Sequence, residues 1–75
     1  MLNKTKYIWK KYSKFEKFDL IINLLKDNPK GLMVTEIAEK LKISYLTSSK
    51  YIDILEAKGK IEIRYIGQGR MIYLK

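Results

Sequence analysis

Cysteine and histidine are both absent from this 75-residue chain. Disulfide bracing is therefore excluded, and the usual zinc ligands are missing with it. Catalytic signatures are scarce for the same reason. There is no imidazole base, no thiol nucleophile and no glycine loop opening a helix, and the eight carboxylates are spread among lysines rather than paired. An enzyme is not expected, nor is a cofactor, a metal or a small-molecule ligand. Proline occurs once and glycine four times, so backbone breaks are confined to residues 28–31, to Gly59 and to Gly67-Gln68-Gly69. No apolar run approaches the ~20 residues of a membrane span, and the lysine-rich start lacks the apolar core of a secretory signal. An intracellular, cytoplasmic location without a membrane partner is the expectation.

What the chain does have is positive charge. Lys and Arg number 16 against 8 acids, a formal net charge of +8 that favours polyanionic partners, although a lysine-rich surface also serves solubility alone. The distribution says more than the total. Residues 1–19 carry six lysines against Glu16 and Asp19, and residues 60–75 carry Lys60, Arg64, Arg70 and Lys75 against Glu62. Between them, residues 44–59 balance Lys50 and Lys58 with Asp53 and Glu56.

That neutral stretch is half of the most legible pattern in the chain. Thr35 can cap a helix whose apolar residues Ile37, Ala38 and Leu41 share a face; Ile43 then pins a corner. Ser44 can cap a second helix, over 44–58, that runs through Ile52 and Leu55 and ends at Gly59, suited to a left-handed terminal position. The pattern is a helix-turn-helix.

Upstream, Ser13-Lys14-Phe15-Glu16 has the form of a capping box, and Phe18, Ile21, Ile22 and Leu25 follow at helical spacing until Pro29 and Gly31. Residues 1–12 admit two readings. Ile8, Tyr12 and Phe15 make one helical stripe, whereas Lys4, Lys6, Lys10 and Lys11 among Tyr7, Trp9 and Tyr12 suit a basic aromatic arm. These aromatics can grip nucleic acid, pack on the domain, or join two copies. Downstream, Ile61, Ile63 and Tyr65 alternate with Glu62 and Arg64 as in a half-buried strand; residues 67–70 make a turn, and Met71 to Leu74 return. Leu32-Met33-Val34 is too short to stand alone and is expected to pair with that hairpin.

Ile43-Ser44-Tyr45, Lys50-Tyr51-Ile52 with Leu55, Lys58-Gly59-Lys60-Ile61-Glu62 and the glycine-tipped hairpin ending in Ile72-Tyr73-Leu74 resemble, in order and spacing, the winged helix-turn-helix superfamily. The likeness is to the small one-domain regulators of archaea and their viruses. Abundant Lys, Ile and Tyr fit an AT-rich genome of that kind, with the protein at the nucleoid or in a host cytoplasm. The resemblance implies an α+β fold, a three-helix core with a C-terminal β-hairpin wing over residues 13–75, preceded by an arm or helix extension over 1–12.

It further implies a homodimeric, sequence-specific transcription regulator of double-stranded DNA, with the recognition helix in the major groove and the wing on the backbone or minor groove. On these positions Tyr45, Thr47, Ser49 and Lys50 offer hydroxyl and ammonium groups, and Lys60, Arg64, Gln68 and Arg70 line the wing. Lys50 and Arg70, the latter near a loop tip with few packing duties, are the leading candidates. Tyr7, Ile8, Trp9 and Tyr12 are the candidates for joining two copies. Two departures stand out. Ser48 occupies a position usually filled by a larger apolar side chain, a gap that Tyr45 could fill, and Leu46, Tyr51 and Ile54 lie off the core stripe, where they offer a protein contact instead. The alternative is accordingly a winged-helix module for protein or RNA, without sequence-specific DNA binding.

Overall fold

The computed structural model describes residues 9–75. After a 3-10 turn at Trp9–Lys11 come α1 (Lys14–Lys26), β1 (Leu32–Met33), α2 (Val34–Leu41), α3 (Tyr45–Ala57), β2 (Ile61–Ile66) and β3 (Gly69–Leu74). Ser13 caps α1 as its sequence requires: the Glu16 amide donates to Ser13 Oγ at 3.2 Å, and the Ser13 amide donates to the Glu16 carboxylate at 2.8 Å. A helix continuous from Tyr12 into Phe15 does not form. The capping box ends the preceding turn, and Phe15 lies 75% exposed.

The start of α2 differs from the expectation. Thr35 lies inside the helix, and the cap position falls on Met33, whose amide donates to Glu36 at 2.7 Å. Pairing explains the shift: Leu32 and Met33 lie opposite Ile72 and Met71 of β3, which holds Met33 extended until the chain enters α2 at buried Val34. The corner after α2 is made by Lys42, a non-glycine residue at φ 59°, and Ile43 leans on the core beside it. Ser44 then caps α3 through the Thr47 amide at 3.1 Å, and the chain leaves α3 at Gly59 with φ 75°.

The sheet is antiparallel in the order β1-β3-β2, with Ile66 opposite Gly69. Only Gly67 and Gln68 remain in the turn, and Gly67 alone has positive φ, the pattern of a type II′ hairpin. Gly69 and Arg70, expected in the turn, belong to β3. The core gathers Phe18, Ile21 and Leu25 from α1, Ile37 and Leu41 from α2, Ile52 and Leu55 from α3, and Ile61 and Ile72 from the sheet. Ser48 is fully buried among them, and its Oγ donates to the Val34 carbonyl at 3.1 Å. Tyr45 does not fill that position; it is 48% exposed.

Candidate nucleic-acid interface

Tyr45, Ser49 and Asp53 recur every four residues, so α3 presents them as one stripe along its flank. Across the hairpin, Arg70 lies opposite Tyr65, and the period of two puts both on the sheet face that carries Ile61, Ile63 and Ile72 toward the helices. Beyond the edge of the core that face meets the stripe. Arg70 donates to Ser49 Oγ at 2.7 Å, to Tyr45 Oη at 3.3 Å and to Asp53 Oδ1 at 3.2 Å. The wing is thereby fastened to α3 by one guanidinium fork.

Arg70 is thus no free loop-tip cation. Its side chain is 19% exposed, and hydrogen bonding to Tyr45 raises its pKa, aided by the charge of Asp53 and opposed by desolvation. Asp53 is itself 61% exposed, so water weakens the ion pair while leaving the geometry of the fork intact. Lys50 follows Ser49 by about 100° around α3 and stands exposed beside this cluster. Thr47 is half-buried, and its Oγ1 accepts from Ser44 Oγ at 2.9 Å, which commits it to the cap. Gln68 at the wing tip shares with Thr35, Tyr45 and Arg70 a cleft of about 180 Å³ between the starts of α2 and α3.

The remaining candidates lie elsewhere. Arg64 occupies the outer sheet face, opposite in direction to Arg70. It donates to Glu62 at 3.1 Å and sits 4.6 Å from the Tyr73 ring centre, and the Glu62 hydrogen bond raises its pKa. Lys60 follows the far end of α3, a helix of about 20 Å, and so stands apart from Tyr45 and Ser49. Trp9 turns inward, its ring meeting Tyr51 edge-on at 5.0 Å with Lys17 Nζ 5.4 Å from its centre; Tyr12 is half-buried. Tyr7 and Ile8 lie outside the described residues. Tyr51 also packs against Phe18 at 5.3 Å and Ile54 leans on the core, so of the three apolar residues expected to make an exposed patch only Leu46, at 78%, does so.

Sequence reasoning missed Asp53 and Tyr65. A signal existed for both: Asp53 extends the Tyr45 and Ser49 spacing, and counting back across a two-residue turn puts Tyr65 opposite Arg70. Among the described residues no cluster of His, Cys, Asp and Glu could hold a metal ion, and no helix is long and apolar enough to cross a membrane.

Three helices, a three-stranded antiparallel sheet and a hairpin laid beside the third helix define a winged helix-turn-helix protein. A family model described as winged helix-turn-helix DNA-binding matches residues 16–62, and the chain belongs to that family. No curated protein sequence matches the chain. Among solved structures, one described as the DNA recognition and protein interaction domains of HOP2, bearing on homologous DNA pairing, superimposes with a TM-score of 0.70 at 16% identity, covering 77% of this chain and 97% of that one. Human N-acetylserotonin methyltransferase in complex with SAM superimposes with a TM-score of 0.69 at 14% identity; all of this chain matches 25% of that chain. At such identities the likeness is one of fold.

Proposed function

We propose that this chain is a sequence-specific regulator of transcription that binds double-stranded DNA as a homodimer, by binding rather than by catalysis. The observation that carries the reading is the Arg70 fork, which holds the wing against the α3 flank next to exposed Lys50. A preset angle between helix and wing lets both meet a duplex without first being ordered, which lowers the entropic cost of binding. Leu46, exposed on the outward face of α3 near its start, suits contact with a thymine methyl. Tyr45 and Gln68 reach the backbone beside it, and two recognition helices in a dimer would address successive major grooves about 34 Å apart.

The test is titration with duplexes of selected and scrambled sequence at two salt concentrations. A preference that survives the higher salt is expected, while affinity that is equal for both duplexes and collapses with salt overturns sequence-specific binding. Lys50→Ala is expected to lower affinity for all sequences and to reduce the salt slope by about one. Exposed Leu46 also favours a second reading, a module that docks protein through this face; a DNA affinity untouched by both Lys50→Ala and Arg70→Ala would select it.

A further inference from the structure

Past the exit of α3, one face of α1 from Phe15 to Lys26, the end of α3 and the base of the hairpin around Lys60 and Leu74 enclose an open groove of about 490 Å³. Its floor is Phe18 and Leu55, and its walls are Phe15, Ile22 and Leu74. Two of these remain uncovered for side chains of their size: Phe15 is 75% exposed and Leu74 37%. Four lysines, Lys26, Lys58, Lys60 and Lys75, stand around it against a single acidic side chain, Asp19. Lys58 leans over the floor, its Nζ 6.0 Å from the Phe18 ring centre.

We infer that this groove docks an acidic amphipathic segment of a partner protein, seating one or two large apolar side chains on Phe18 and Leu55 while its carboxylates meet the lysine rim. Charge decides the class of occupant. A second copy seated at this rim would set its lysines against another surface of a chain at +8, whereas an acidic segment brings the opposite sign; the dimer proposed above is joined through the leading segment instead. Shape decides between a segment and a small molecule. The groove is open along one side with Phe15 standing at its lip, so a compact ligand on the floor would leave that ring in water, whereas a peptide helix laid along the lip covers it. The groove lies past the exit of α3, whereas exposed Lys50 and Leu46 and the wing tip at Gln68 lie toward its start, so a tethered partner and a duplex would meet different parts of the surface.

The experiment is an amide-shift titration of the 75-residue chain with three 12-residue helical peptides: one with Leu and Phe on one face and Asp and Glu on the other, one with Ser replacing Leu and Phe, and one with Lys replacing the acids. Saturable shifts confined to residues around Phe15, Ile22, Lys58 and Leu74, seen with the first peptide alone, are expected. Phe15→Ser and Lys58→Glu should each weaken that binding about tenfold or more, and both residues are exposed enough for the fold to survive. Equal binding of the Ser peptide would mean charge attraction without a seat and overturns the proposal. So does an absence of saturable shifts, or concentration-dependent shifts at the groove without peptide, which would assign it to a second copy. Lys50→Ala should leave peptide binding unchanged, which separates this outcome from any failure of DNA binding.

Discussion

Arg70 joins three side chains of α3, and its substitution tests what the junction does. Arg70→Lys keeps the charge but replaces a planar fork by a single ammonium, which cannot reproduce the paired geometry toward Ser49 and Asp53. Arg70→Ala is expected to weaken binding of the preferred duplex by roughly 0.5–1.5 kcal/mol for each side chain that the fork no longer orders beforehand, with Arg70→Lys between it and the parent chain, as read by fluorescence anisotropy. Asp53→Asn should do the reverse for scrambled DNA: removing a carboxylate from the face proposed to meet phosphate raises nonspecific affinity and steepens its salt dependence. Because hydrogen bonding raises the folded-state pKa of Arg70, the stability from that shift is fully present below the ordinary guanidinium value and is lost only as pH rises through the folded value. Nothing in the guanidinium itself therefore loosens the fork near neutrality. Ser48 has no room for a larger neighbour: Ser48→Leu is expected to cost about 1–3 kcal/mol in urea unfolding by overpacking, and Ser48→Ala only about 0.5–1.5 kcal/mol for the lost hydrogen bond.

Among the elements, the corner between α2 and α3 is the one built against its own local preference. Lys42 holds a left-handed conformation that costs an L residue with a β-carbon about 1–2 kcal/mol, and it is exposed, so no packing compels the choice of lysine. Lys42→Gly removes that penalty while adding freedom to the unfolded chain, and a net gain of about 0.5–1 kcal/mol in chemical denaturation is expected. The elements also show which signals survive from sequence into fold. Ser13, Ser44 and Gly59 mark helix ends through short-range hydrogen bonds and backbone freedom, and they stand where those rules put them. Thr35 fails as a cap because a nonlocal contact, the pairing of Met33 with Met71, sets where α2 begins. Arg70 moves from turn to strand for a similar reason: a glycine at Gly67 permits a two-residue turn, so the ladder extends through Gly69.

For the molecule as a whole, one prediction concerns assembly. A dimer is expected by sedimentation, and Tyr12→Ser is expected to shift it toward monomer if the leading segment joins two copies. Trp9 is already engaged with Tyr51, so its loss should lower stability as well as any association. The architecture, the helix-turn-helix and the hairpin were legible in 75 residues because apolar period, capping side chains and glycine turns act over a few residues. What only the tertiary structure decided is which side chains meet. Arg64 and Arg70 look alike in sequence, yet sheet pleating sends one to Glu62 and Tyr73 and the other to α3. Local chemistry fixed which elements form, whereas the start of α2, the facing of the wing on the helix, and with it the fork and the lysine-rimmed groove, arise from contacts between residues far apart in the chain.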